Sequence, residues 1–220
     1  MSLSVVIPVL NGASDLPLTL ASVAEADEIV VVDGGSTDGS AALAETLGAT
    51  VITSPRGRGE QLRRGAAAVK GPWLLFLHAD TRLEPGWRAA AEAFMAQHAG
   101  RAAVFRFALD DTDWRARWLE AAVAARTRAF ALPYGDQGLL IHRELYDAVG
   151  GFAALPLMED VDLVRRIGRR RLVALPVKAV TSSRRWRADG WLRRSARNLL
   201  CLLMFRLGAP IERIARVYGR

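Results

Sequence analysis

Three stretches decide the fold: residues 4–11 (SVVIPVLN), 31–40 (VVDGGSTDGS) and 75–81 (LFLHADT). In each, an apolar run breaks off into small, turn-forming or acidic residues. A parallel strand buried on both faces reads as such a continuous apolar run, and the residues just past its C-terminal end line a crevice shared with its neighbours. Carboxylates delivered to one crevice by adjacent strands point to a nucleotide and a metal ion as its ligands.

Working outward, helical and extended patterns alternate. Leu16, Leu20 and Val23 share one side of a helix predicted over 15–24, and 28–32 is again a β-branched run. A helix over 38–47 is stopped by Gly48; a strand at 50–53, a helix over 59–69 and a strand at 73–77 follow. Four strands separated by helices favour a parallel, doubly wound sheet with right-handed crossovers. The second half is less regular. Strands are expected at 104–109, 139–142 and 172–176, and helices over 114–130 and 160–168. Amphipathic helical segments close the chain from 191 to about 217, the last opened by Pro210.

With 220 residues, 51% of them hydrophobic, the chain can bury a substantial core, which excludes a disordered protein. No repeat or low-complexity linker interrupts it, so a single α/β domain is expected, its central sheet mostly parallel and flanked by helices. Its parts are a nucleotide-binding half (1–82), an acceptor and catalytic half (83–186) and basic amphipathic helices (187–220). The lone Cys201 allows no internal disulfide, and the first residues read as a strand rather than a secretion signal, so the expected location is cytoplasmic, with peripheral contact at the inner face of the membrane as a variant.

The net charge of +7 is unevenly placed: residues 184–220 hold ten arginines against Asp189 and Glu212. Apolar residues beside this basic tail suit anionic headgroups or phosphate-bearing substrates. The apolar stretch 199–205 is far shorter than the roughly 20 residues that span a bilayer. For helices with Trp191, Leu192, Leu199, Leu203 and Leu207 opposite Arg193, Arg194 and Arg197, packing on the domain or in a homodimer is favoured over membrane contact. Nucleic acid is not an expected partner, because such a binder gives no reason for acids at strand ends.

VVIPVLN, VVDGGSTDGS, the HAD tripeptide closing an apolar strand, and MEDVDL at 158–163 occur in an order and spacing that resembles family 2 glycosyltransferases with the GT-A fold, over 4–186. The compact length, GDQG at 135–138 and SRRW at 183–186 further resemble a small bacterial branch known as radical-SAM/selenodomain-associated transferases. The resemblance implies a nucleotide-diphosphate-sugar donor, a divalent ion (Mn2+ or Mg2+), and transfer with inversion to an acceptor hydroxyl whose identity is open, a lipid-linked one included.

It also implies residue roles. Pro8 and Asn11 leave the first strand, and Asp33, followed by Gly35, contacts the nucleotide base; Ser36 and Asp38 either touch ligand or cap the next helix. Arg56, Gly59 and Gln61 lie in a glycine-rich basic loop beside the donor, which is no dinucleotide fingerprint because Leu62 stands where its last glycine belongs. His78 and Asp80 take the place of the family's D-x-D motif: Asp80 is the expected metal ligand, while His78 either joins it, which favours Mn2+, or bonds ribose. Glu159-Asp160 resembles the family's ED motif, with Asp160 as general base and Glu159 in reserve; Asp162 should face elsewhere. Asp136 and Gln137 line an acceptor or sugar subsite, and Arg184, Arg185 and Trp186 flank the leaving diphosphate and stack on sugar or acceptor. The glutamine that usually opens this last element is missing, with Thr181 and Ser182 upstream. Two rival readings are a nucleotidyltransferase, which would want a phosphate-gripping loop directly after the first strand, and a non-catalytic nucleotide-sugar-binding relative.

Overall fold

The computed structural model describes residues 1–130 and 135–219. Along the chain run β1 (Leu3–Val9), α1 (Leu16–Ser22), β2 (Glu28–Asp33), α2 (Ser40–Thr46), β3 (Thr50–Thr53), α3 (Arg58–Ala68) and β4 (Trp73–Phe76). Then follow β5 (Thr81–Leu83), α4 (Trp87–Met95), β6 (Ala102–Leu109), α5 (Trp114–Phe130), a 3-10 turn (Gly135–Gln137), β7 (Leu139–His142) and α6 (Arg143–Ala148). The chain ends with α7 (Glu159–Ile167), a 3-10 turn (Arg169–Arg171), β8 (Leu172–Thr181), α8 (Arg184–Asp189), α9 (Trp191–Arg206) and α10 (Ile211–Tyr218). Arg220, the last cation of the basic tail, lies outside the described residues.

All eight strands form one sheet in the order β3-β2-β1-β4-β7-β6-β8-β5. The first four are parallel, as their crossover helices require, with Val9 opposite Asp33 and Val6 opposite Phe76, so β1, β2 and β4 end along one edge. The sheet as a whole is mixed, with β6 and β8 adding a further parallel pair. β7 runs antiparallel to both β4 and β6, and β5 antiparallel to β8. That reversal carries the second half of the chain back over the ends of the first four strands. The expected strand at 172–176 continues through Pro176 to Thr181, because the register with β6 shifts between Val104 and Arg106, and a proline without an N–H is tolerated at such an irregularity.

Strand alternation supplies a core on each face. Leu3, Val5, Ile7 and Val9 of β1 pack with Leu16 and Leu20 of α1 and with Trp87 and Phe94 of α4. Val6, Val32, Leu74 and Phe76 pack on the other side with Leu62 and Ala66 of α3 and Leu163 and Ile167 of α7. Each such side chain contributes roughly 1.5–3 kcal/mol on burial. Close approach of α3 depends on Gly65, where a Cβ would collide with Val6. At the C-terminal end, Cys201, Leu202 and Ile214 of α9 and α10 pack on Leu157, Met158 and Val161, seating the tail helices against the start of α7.

Candidate active site

The loops at the sheet's C-terminal edge are locked to one another. Asn11 takes a left-handed backbone (φ 52°), which its short polar side chain tolerates, and its Oδ1 accepts from the Thr37 amide at 2.8 Å. Ser36 Oγ accepts from the Asn11 amide at 2.9 Å, and Asp38 accepts from the amides of Ala13 and Ser40, both at 3.0 Å. Ser36 and Asp38 therefore staple the first loop to the second, and Asp38 also steadies the entrance of α2. From α3, Gln61 Nε2 donates to the carbonyls of Val9 and Val32, both at 2.8 Å, clamping β1 to β2.

Two connected cavities lie over this edge. A cleft of about 1300 Å³, open to solvent, is lined by Pro8, Asn11, Arg56, Gln61, Asp80 and Arg184 among others. A second, of about 670 Å³, is walled by Asp80, Asp136, Asp160 and Trp186, with Arg194, Asn198 and Tyr218 contributed by α9 and α10. Arg58, His78, Asp80 and Arg185 line both. Together they offer room for a nucleotide carrying a further group.

The acids sit in contrasting surroundings. Met158, the residue before α7, adopts φ 65°, a conformation costing a residue with a Cβ about 1 kcal/mol, and the packing of its side chain on Cys201 and Leu202 holds it there. The helix then starts so that Asp160 lines the cavity, its Oδ2 accepting from the Gly135 amide at 2.6 Å and its Oδ1 from Val161 at 2.7 Å. Glycine at 135 keeps this approach open, since a Cβ there would lie 2.5 Å from His78 Nε2 and push the imidazole aside. Glu159 turns inward instead. It is fully buried and pairs with Arg58, so the reserve base of the sequence reading lies outside both cavities. Burial pushes its carboxyl above the usual range against the pull of Arg58. Arg58 is held above its ordinary value, because Glu159 and Asp160 outweigh burial. Asp162 faces away, as expected, paired with Arg166.

Asp136 completes the acidic cluster. Burial, opposed by Arg126 and reinforced by the charges of Asp160 and Asp80, pushes its carboxyl up to about 6. Its Oδ1 is buried with no hydrogen-bond partner among the described residues. No three His, Cys, Asp or Glu side chains among the described residues form a metal cage. The donor set nevertheless suits a hard divalent ion completed by a ligand's phosphates: the carboxylate of Asp80 shares a cavity with the unpartnered buried oxygen of Asp136.

Several expected contacts are placed otherwise. Asp33 is buried and its carboxylate accepts from the amides of Gly35 and Ser36; neither Asp33 nor Gly35 lines the two cavities. Gln137 is a buried strut between Thr127 Oγ1 (3.1 Å) and the Phe105 carbonyl (3.0 Å), also away from both. Gly59 serves packing, since a Cβ there would strike the Ala153 carbonyl. In α8, Arg184 reaches Ser14 Oγ and Asp15, Arg185 stands 3.8 Å from Asp80, and Trp186 lies beneath Arg194, whose guanidinium is 4.9 Å from its ring centroid. The Trp186 Nε1 has no hydrogen-bond partner among the described residues. Sequence reading missed Arg58 and the cavity wall from α9 and α10. A signal for Arg58 exists, because it lies three residues before Gln61 and so shares its helix face.

A mixed α/β sheet that delivers acids from the ends of β4 and α7 to a cleft beside the β1–β2 edge defines the GT-A class of transferase folds. Residues 4–157 match the family model Glycosyl transferase family 2, and the chain belongs to that family. A PGL/p-HBAD biosynthesis glycosyltransferase of Mycobacterium bovis BCG is 38% identical over 107 residues, 43% of this chain and 42% of that relative. An uncharacterized glycosyltransferase of Mycobacterium tuberculosis H37Rv is 35% identical over 86 residues, 39% of each. The chain thus spans about two-fifths of the curated relatives it matches. In fold it is similar to glucosyl-3-phosphoglycerate synthase of M. tuberculosis, solved with Mn2+, UDP and glucosyl-3-phosphoglycerate (TM-score 0.60, 21% identity, 95% of this chain and 81% of that one). It is also similar to residues 1–349 of S. aureus TarS (TM-score 0.65, 17% identity, 100% and 70%).

Proposed function

We propose that the protein is an inverting, divalent-metal-dependent glycosyltransferase that moves a sugar from a nucleotide-diphosphate donor to an acceptor hydroxyl. The observation that carries this reading is that Asp80 and Asp160, from opposite halves of the chain, line one cavity that also opens into the nucleotide-sized cleft. The donor would lie along the open cleft between the β1 loop, the start of α3 and α8, with its diphosphate between Arg56, Arg58 and Arg185. The UDP and Mn2+ bound by the fold relative support a nucleotide donor and a metal. The finer placement in the radical-SAM/selenodomain-associated branch rests on the compact length and the GDQG and SRRW motifs.

Asp160 is the base. Both its oxygens are oriented by backbone amides, and its remaining lone pairs can take the proton of an acceptor hydroxyl entering from the α9–α10 side. As that proton leaves, the acceptor oxygen bonds to the anomeric carbon and the bond to the diphosphate breaks from the opposite face, inverting the centre. Arg185 and Arg58 neutralise the departing charge. A divalent ion held by Asp80, with His78 or Asp136 beside it, would supply further charge neutralisation at the diphosphate. Trp186, with its unpartnered Nε1, offers the acceptor a hydrogen-bond donor.

The test is thermal shift and transfer with UDP- and GDP-sugars, with and without Mn2+. Asp160→Asn should retain donor-induced stabilisation and lose transfer by at least about 10²-fold. Asp80→Ala should lose the Mn2+-dependent part of that stabilisation. Donor binding with no transfer by the unaltered protein, across donors and acceptors, would favour a binding-only relative.

A further inference from the structure

Two helices on the tail side of the site leave apolar faces uncovered. Trp114 and Trp118 stand one turn apart on α5, 74% and 63% exposed. Leu192 and Leu207 at the ends of α9 are 81% and 77% exposed, and Leu199 and Leu203 continue the same side by helical spacing. The helices lie side by side: Arg115 sits over the Trp191 ring at 5.7 Å, and a small cavity between them is lined by Leu119 and Val123 of α5 and Ser195 and Leu199 of α9. That cavity shares Asp136, Trp186 and Asn198 with the acid-lined one, so the exposed face adjoins the acceptor side of the site.

The free charge around this face is positive but for Glu212 of α10. α9 contains no acidic residue, and its exposed Arg193 and Arg206, with Arg213 and Arg216 of α10, have no ion-pair partner among the described residues. The other carboxylates nearby are already committed: Asp113 to Arg115, Glu120 to Arg117, and Asp189 to Arg194 and Arg197. A second copy would bring the same four arginines and only Glu212 to meet them. An anionic bilayer offers both an apolar layer for leucine and tryptophan and negative headgroups for arginine, and tryptophan is well suited to that boundary.

We propose that the α5–α9 face docks the protein on an anionic lipid surface. Docked this way, the acceptor side of the cleft faces the bilayer, which selects a lipid-borne acceptor hydroxyl; this consequence rests on the transferase reading, whereas the docking does not. Among the described residues no helix is long and apolar enough to cross a membrane, so the contact is peripheral.

The full chain is mixed with phosphatidylglycerol–phosphatidylcholine vesicles and with pure phosphatidylcholine vesicles, and binding is read by co-sedimentation and by tryptophan emission. Binding to the anionic vesicles alone is expected, weakened by salt and lowered at least about tenfold in Trp114→Ala/Trp118→Ala. Both tryptophans are exposed, so the double variant keeps its circular dichroism and its donor-induced thermal shift. Absence of vesicle binding, or equal binding by the double variant, overturns the proposal. So does a concentration-dependent dimer, seen by sedimentation velocity, that the double variant abolishes, because the occupant would then be a second copy. Donor binding is scored in separate samples, so failure of docking and failure of the transferase reading are distinguishable.

Discussion

Replacing Arg58 by methionine tests whether the buried Arg58–Glu159 pair holds the site together. Glu159 is 0% exposed and Arg58 23%, and Glu159 Oε2 has no hydrogen-bond partner among the described residues, so the carboxylate depends on this one cation. Removing one partner of a buried pair typically costs about 3–5 kcal/mol. For a chain of this length that corresponds to a fall in Tm of roughly 6–20 °C. The loss should depend on pH. Burial already raises the Glu159 carboxyl above its ordinary 4.5, and without Arg58 it rises further. A raised folded-state value means that the neutral acid is the form the fold tolerates. The variant should therefore approach wild-type stability below pH 4.5 and lose ground as pH climbs through the raised value. Denaturant melts of both proteins across that range measure the effect. Arg58→Met/Glu159→Leu, which removes the charge as well as its partner, should recover most of the loss at neutral pH. A Tm change below about 3 °C, or a loss equal at acid and neutral pH, would refute the reasoning.

Other predictions concern neighbouring groups. Asp136, with its carboxyl pushed up to about 6 from 3.8, contributes stability that is complete below 3.8 and lost as pH rises through 6. Asp136→Asn should therefore be more stable than wild type at pH 8 by of order 2 kcal/mol and equal to it near pH 4, read from urea melts. Gly135→Ala would put a Cβ 2.5 Å from His78 Nε2 and 3.2 Å from Asp160 Oδ2. It should cut kcat/KM for transfer by about 10²-fold with Tm little changed, and activity within twofold of wild type would count against the placement of Asp160. Gln61→Leu, which removes the clamp on the Val9 and Val32 carbonyls, should cost about 1–3 kcal/mol for the two hydrogen bonds lost, and unchanged stability would show that the clamp is dispensable.

The edge that bears the cleft is legible in the sequence because its signals are local. An apolar run leading to Asn11, Asp33 or Asp80 is set by strand burial and turn chemistry, and those positions lie at a strand's last residue or a few residues past it. Side chains equally suited to two tasks were not legible. Gln61 and Gln137 looked like ligand contacts, yet both amides serve backbone carbonyls, a choice made by distant strands that the sequence order does not reveal. Glu159 and Asp160 are adjacent and chemically alike. The helix phase after the strained Met158 sends one to the buried Arg58 and the other to the cavity.

The sequence by itself determined the alternation of strand and helix, the family and the identity of the acids at the edge, because periodicity and turn residues act over short stretches of chain. Tertiary structure alone decided that β7 runs against its neighbours, returning the second half of the chain so that Asp160 and Asp136 share a cavity with Asp80. It also decided that α9 and α10 wall that cavity while turning leucines and α5 tryptophans outward. Such convergence depends on packing between segments far apart in the chain, and no local pattern of residues encodes it.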